Sequence, residues 1–465
     1  MSISWSGGIN TPALRRFLRD TAADGIKLRA FRLYRKGETV SATFEPFTPE
    51  DRMHLYSLSK SFTSLCVGIA EDLGLLSTDE RMIDIFPDKA PETVSENLAL
   101  MTLGDVLSMQ SGHKKCHLDQ MLRSEDAVKT FLAMPVVYRP GTTFVYSTGG
   151  TCVCGAAVER RSGMKLADFM MKYLFAPLGI ERPRVLTTAD GTHTGGVGIF
   201  LEPDALLKLG MLMLRGGEYE GKRIVSERYC RKATSPIADN SCNGTPDWVA
   251  GYGYQFWCNA RSGFRGDGAY GQLCVVLPEE DTVFALQAEA SSMQAEMDHI
   301  YELIGDVLQK DSSEQKELEA DVRGYYAVSP CDAKIDKTLL LSPNPTEADS
   351  VRLTTENGLL KVVFSTAYGE QTLLAGDGKW VESTPMLRYC NPSINLLDPH
   401  FGQIEILRLR SSFTVEGDSV LITAKHPDTP HTQYFRFDSD ALRISAFLGD
   451  LHPGVKEIPY REATV

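Results

Sequence analysis

Strand-like windows at both ends of a long helical tract limit the fold of this 465-residue sequence more than any other feature. Residues 28–34 ("LRAFRLY") and 39–45 ("TVSATFE") alternate around the turn-like "RKGE", a pattern that predicts a β-hairpin. Strand patterns return only far along the chain, at "YGYQFWCN", "GQLCVVLP" and "TVFALQAE". Between them, "LGDVLSMQ", "SEDAVKTFLAMP", "GGTCVCGAAVERRSG" and "EPDALLKLGMLMLRGG" have helical spacing with Gly and Pro breaks, and "QAEMDHIYELIGDVLQ" closes the region with an amphipathic helix. One sheet with strands from both ends and helices from the middle is predicted. The fold class is α/β (α+β), an antiparallel sheet flanked by helices, with a helical insertion over about residues 80–190.

Residues 310–320 ("KDSSEQKELEA") are charged and poor in apolar side chains, so a linker is expected there. Beyond it the pattern changes. "SVRLTTENGLLKVVF" carries an Asn-Gly turn, "LLAGDGKWVE" an Asp-Gly turn and "SSFTVEGDSVLITAKH" a Gly-centred turn, which together predict successive hairpins and a small antiparallel barrel or sandwich. The expected organisation is a domain over 1–309, a linker over 310–320 and a β-rich domain over 321–465.

The net charge of −13, with no long Lys/Arg run, argues against nucleic acid or an anionic membrane as partner and favours a small molecule or short peptide. The start, "MSISWSGGINTPALRRFLRD", has no basic segment followed by an apolar stretch, and no run is long enough to span a bilayer, so a cytoplasmic protein is expected. Ten scattered cysteines fit reduced thiols in a reducing compartment rather than a disulfide framework. A homodimer stays open.

Four Ser/Lys pairs are three residues apart: Ser57/Lys60, Ser111/Lys114, Ser162/Lys165 and Ser313/Lys316. Only the first, in "YSLSKSFTSLCVGI", leads into an apolar helix, marked by Phe62, Leu65, Cys66, Ile69 and Leu73 at helical spacing, with Gly74 as a stop. A plain reading is an N-capping serine and a surface lysine. The chemical reading places a hydroxyl at the positive end of a helix, one turn from a lysine that burial could keep neutral and basic.

The flanking segments decide between them. "SLSKSFTSLCVGIAEDLGLLSTDERMIDIFPD", "MTLGDVLSMQSGH" and "RPGTTFVYSTGG" occur in the order and spacing of the serine β-lactamase and penicillin-binding-protein superfamily, and residues 10–308 resemble its class C-like branch of family VIII-type esterases and D-aminopeptidase-like hydrolases. The resemblance implies a transpeptidase-like domain, Ser57 as acylated nucleophile, Lys60 as its base and Tyr146 as proton relay. It also implies backbone amides of Ser57 and Ala269 as the oxyanion hole, and a lipocalin-like β domain after it. Two positions depart from the family. Thr148 stands where its second motif has Asn, and Gly266, Asp267 and Gly268 stand where its third motif begins with a cation, with Arg265 one residue away and on the other side of the strand.

Thr148 is expected either to meet substrate or to cap the following turn. The small residues Gly266 and Gly268 would let substrate approach the backbone, with Asp267 beside it. His113 is expected at the cleft rim, and Trp257 in the cleft or in the core beneath it. "HKKCH" spaces His113 and His117 for a zinc face but lacks the glutamate of a metalloprotease, so no metal is expected, and no cofactor. The function predicted is hydrolysis of a small ester, amide or short peptide through an acyl-enzyme. The alternatives are a slowly acylated or non-catalytic ligand-binding protein and a weak β-lactamase.

Overall fold

The hairpin forms strands Lys27–Arg35 and Glu38–Thr43 in the computed structural model, which describes residues 2–6, 9–188, 191–307, 309–344, 346–388, 404–406, 408–446 and 456–462. Lys36 and Gly37 close it at φ of 47° and 86°, the turn whose twist matches that of the paired strands. Five more strands complete one antiparallel sheet. Its order is Ser2–Ser6, Glu38–Thr43, Lys27–Arg35, Thr282–Glu289, Gln272–Leu277, Phe264–Gly268 and Trp257–Cys258. The two ends of the predicted domain therefore pair directly, Lys27–Arg35 against Thr282–Glu289.

Alternation along Gln272–Leu277 sends side chains into two cores. Leu273, Val275 and Leu277 pack with helices Thr11–Ala23 and Met293–Asp306, whereas Cys274 and Val276 pack with Ser59–Asp72, Thr148–Ser162 and Pro203–Leu214. Covering both faces buries every residue of that strand, which is why its sequence is apolar throughout.

Three expectations need correction. Within "YGYQFWCN" only Trp257–Cys258 joins the ladder; Gln255 turns the chain at φ 64°, and Tyr252 makes isolated bridges to Ala238 and Trp257. The stretch read as a linker runs into a helix, Gln315–Gly324, whose Leu318 and Val322 are buried in the same core as Phe17 and Met297. Its two apolar residues sit one helical turn apart, enough to dock a helix that is otherwise charged. The Asp-Gly turn at 377–378 does not join two neighbouring strands, because Val381–Ser383 pairs with Leu409–Glu416 instead.

Beyond helix Gln315–Gly324 every element among the described residues is a β-strand. Asn357 and Gly358, at φ 52° and 70°, close the predicted hairpin between Ala348–Glu356 and Leu359–Thr366. A ten-stranded sheet curls until Gly369–Gly376 meets Leu409–Glu416 at the Gly376–Ser412 bridge. Val351, Phe364, Phe413, Ile422 and Phe435 fill its interior. The nine described cysteines are free thiols, most of them buried, and Cys390 lies outside the described residues. Among the described residues no helix is long and apolar enough to cross a membrane.

Candidate active site

Helix Ser59–Asp72 is preceded by a 3-10 turn, Tyr56–Leu58, that carries Ser57. Tyr56 enters this turn at φ 49°, the left-handed region that an aromatic residue occupies only when its surroundings hold it there. Lys60 follows one turn later and is 1% exposed. Its Nζ lies 2.9 Å from Ser57 Oγ, 3.1 Å from Thr148 Oγ1 and 2.7 Å from the Gly196 carbonyl oxygen. Burial pushes the ammonium down to about 8, offset in part by the thiols of Cys152 and Cys116 and by Asp267. A lysine held at that value is partly neutral in ordinary buffers. Of the other three Ser/Lys pairs, Ser111 bonds to His113, Lys165 reaches Glu159, and Ser313 is exposed.

Tyr146 places its ring 4.9 Å below Lys60 Nζ and stacks on Trp257 at 5.5 Å. Burial and then Asp267 push its phenol up, while a hydrogen bond with Ser57 and the charge of Arg265 act in the other direction. The group therefore stays protonated. Thr148 is not the cap of its helix. Ser147 fills that role, accepting the Gly150 amide, and leaves the Thr148 hydroxyl on Lys60.

The glycines of Phe264–Gly268 make room for the turn that carries Ser57, not for substrate as expected. A Cβ on Gly266 would stand 2.5 Å from Leu58 Cδ1, and one on Gly268 2.0 Å from the Leu55 carbonyl oxygen. Trp257–Cys258 pairs only with Phe264 and Arg265, so 266–268 form the open edge next to that turn. Ala269, half-buried, follows at the edge's end beside Tyr56, Val197 and Tyr270.

Arg265 and Asp267 lie on the opposite face of that strand. Arg265 is fully buried, sits over Trp248 at 4.1 Å and pairs with Asp267 at 3.2 Å. The cation that this strand carries is thus paired within the protein. Burial raises the Asp267 carboxyl, against the pull of Arg265, Lys60 and a hydrogen bond from Trp257. Trp257, 7% exposed, is a buried support for Tyr146 and Asp267 rather than a wall of an open cleft.

His113 also departs from expectation. It is 1% exposed, packs on Phe131 at 4.5 Å, bonds Ser111 through Nδ1 and is pushed down to about 4 by burial, so it is not at an open rim. Its ring lies 5.5 Å from that of His117, but no group of three or more His, Cys, Asp or Glu is placed to share an ion among the described residues.

Two participants escaped the sequence reading. The Gly196 carbonyl that holds Lys60 has no side-chain signal at all. His431, from the β region, reaches the Tyr56 hydroxyl with Nε2 at 2.6 Å and packs on Tyr270. The surrounding segment, 426–432, also receives Arg29 on the His426 carbonyl and supplies the Asp428 carbonyl to the His54 amide. "HPDTPHT" looks like an ordinary loop, and only the docked structure reveals its neighbours.

The chain is 27% identical over 299 residues to a 6-aminohexanoate-dimer hydrolase of Paenarthrobacter ureafaciens, covering 58% of this chain and 74% of that one. It is 24% identical over 159 residues to a D-aminopeptidase of Brucella anthropi, covering 31% of this chain and 28% of that one. Among solved structures, a penicillin-binding protein homologue from Pyrococcus abyssi, an octamer, aligns over 96% of this chain and 99% of its own at TM-score 0.51 and 14% identity. A family VIII carboxylesterase aligns over 66% of this chain and all of its own at TM-score 0.51 and 15% identity, a likeness of fold. The family described as Beta-lactamase matches residues 15–309, more than half of the chain, and the protein belongs to it, a beta-lactamase-like serine hydrolase family with amide- and ester-hydrolase relatives.

Proposed function

We propose that this protein hydrolyses small esters or amides, short peptides included, through an acyl-enzyme on Ser57. The observation that carries the reading is the buried Lys60, bonded to Ser57 Oγ and depressed to about 8. In its neutral form Lys60 takes the Ser57 proton as Oγ attacks the carbonyl carbon. The amides of Ser57 and Ala269 receive the oxyanion. Tyr146, kept as a phenol, gives its proton to the leaving oxygen or nitrogen and regains one from Lys60. Water then attacks the acyl carbon as Lys60 takes its proton, and the same proton passes to Ser57 Oγ as the acyl–oxygen bond breaks and the acid leaves. Thr148 orients Lys60, and Trp257 holds Tyr146.

The Arg265–Asp267 pair bears on substrate. With that guanidinium locked, the third motif offers no free cation to a substrate carboxylate, which favours esters and amides lacking one next to the scissile bond. The relatives' own substrates, a 6-aminohexanoate dimer and D-aminoacyl compounds by name, guide the panel to assay. A fluorophosphonate probe should label wild type and not Ser57→Ala, and short-chain esters, D-aminoacyl amides, the linear 6-aminohexanoate dimer and a chromogenic cephalosporin should be compared. Absence of both labelling and turnover above the Ser57→Ala background would leave the ligand-binding reading in place.

On the same footing we propose a domain boundary after helix Gln315–Gly324, a lipocalin-like barrel for the β domain, a cytoplasmic setting in keeping with the free thiols, and a homodimer testable by light scattering.

A further inference from the structure

A cavity of about 1230 Å³ lies between the hydrolase domain and the β region, away from Ser57. Its volume is at or above the range of about 300–1,000 Å³ typical of small-ligand sites. Helix Thr11–Ala23 and residues 324–328 form one wall, and strands of the β region form the other. At its inner end stands Lys425, 4% exposed. Among the described residues its Nζ has no hydrogen bond or ion pair; it lies 3.7 Å from the centre of the Tyr326 ring and 5.8 Å from that of Trp380.

Those aromatic walls are fixed. Tyr326 donates its hydroxyl to the Leu28 carbonyl at 2.8 Å, and Trp380 Nε1 donates to the Tyr326 carbonyl at 3.0 Å. Lys425 shares its surroundings with other charges. Lys27 and the buried Arg29 both approach the carboxylate of Glu289, each at 3.6 Å, and no described carboxylate comes within ion-pair distance of Lys425 Nζ. At the mouth Arg15 is taken by Glu314 and Asp321, and Arg16 by Asp306. Burial pushes the Lys425 ammonium down to about 7, opposed by the charge of Glu289 and furthered by those of Arg29 and Lys27.

We propose that this interdomain cavity binds a small monocarboxylate with an apolar or aromatic body, its carboxylate on Lys425 and its body between Tyr326 and Trp380. The ligand's carboxylate gives the Lys425 ammonium a direct partner that no described carboxylate supplies, and its body covers the half-buried faces of Tyr326 and Trp380. This site is separate from the Ser57 centre and does not depend on the hydrolase reading.

The test is calorimetric titration of 4-phenylbutyrate, and of the neutral 4-phenylbutan-1-ol, into full-length protein carrying Ser57→Ala so that no acyl-enzyme forms. One equivalent of the acid is expected to bind, with the alcohol weaker by about tenfold or more, the worth of one charge-assisted contact. Lys425→Met should weaken the acid by a similar factor and leave the alcohol unchanged. Where that variant does not fold, Ala327→Trp, which adds bulk to the cavity wall, should abolish binding of both probes. No binding at millimolar acid, equal binding of acid and alcohol, or full binding by a folded Lys425→Met or Ala327→Trp protein overturns the proposal.

Discussion

Lys60 Nζ has three oxygen neighbours, and the number of protons it carries decides what they do. As an ammonium it donates to Ser57 Oγ, Thr148 Oγ1 and the Gly196 carbonyl. As an amine it keeps two donors. The carbonyl can only accept, so the lone pair turns to a hydroxyl, and Ser57 can then donate to nitrogen. Deprotonation thus reverses the Ser57 hydrogen bond, the state that the proposed attack by Ser57 requires. kcat/KM is expected to rise with pH through about 8, and because the Tyr146 phenol is pushed up, no early fall on the basic side should follow. A pH–rate profile on a neutral ester checks this. Lys60→Ala should lower kcat by about 10²–10⁴-fold, and Lys60→Arg should not restore it, since a guanidinium does not deprotonate. Stability carries the same signature. The folded lysine sits at about 8 against 10.5 for an ordinary one, so the unfolded chain binds more protons between those values and stability rises with pH across that window. Denaturant melts of wild type and Lys60→Met should converge as the pH rises through it.

At the scale of elements, strand Phe264–Gly268 and the turn Tyr56–Leu58 fit only because two positions lack a Cβ. A methyl group on Gly268 meets the Leu55 carbonyl oxygen at 2.0 Å, a backbone atom that no rotamer change can move. Gly268→Ala should therefore destabilise by about 1–3 kcal/mol or more and displace Ser57, lowering kcat rather than raising KM. Urea melts and steady-state kinetics separate the two effects. The glycines illustrate what the sequence could convey. Their need for close approach was legible in "GFRGDGAYGQ", but what approaches was not, because Leu55 and Leu58 lie some 200 residues earlier in the chain. Local patterns read well for the same reason in reverse. The Lys36-Gly37 and Asn357-Gly358 turns and the Ser59–Asp72 helix are set by residues next to one another. The Ser57, Lys60 and Tyr146 set was legible through the order of its flanking motifs, whereas the burial of His113 and Trp257 depends on Phe131, Tyr146 and Asp267 brought in by folding.

At the scale of the whole molecule, the β region is bolted to the hydrolase domain next to Ser57, the proposed nucleophile. Asp51, 5% exposed, holds Arg408 at 2.8 Å and also pairs with Arg410 through both carboxylate oxygens. Asp51→Ala removes the most buried carboxylate of the junction while Arg408 keeps Glu382 and Asp428 and Arg410 keeps Glu382, and should cost about 1–3 kcal/mol, read as a lower urea midpoint. The bolt positions segment 426–432, and with it His431 against Tyr56. Tyr56 precedes Ser57 and holds the strained φ of 49° that aims the turn. Such a residue relaxes unless its side chain is fixed, and here the hydroxyl is fixed by His431 while the ring is wedged by His54 and Tyr270. His431→Phe preserves the ring contact but leaves the Tyr56 hydroxyl without that partner, a loss of about 1–3 kcal/mol. If the β region serves to hold the nucleophile turn, kcat falls about tenfold or more with KM little changed, and His431→Gln, which retains a polar partner, recovers part of it. Equal kcat in His431→Phe and wild type, with both proteins folded, would sink that role and leave segment 426–432 as packing alone.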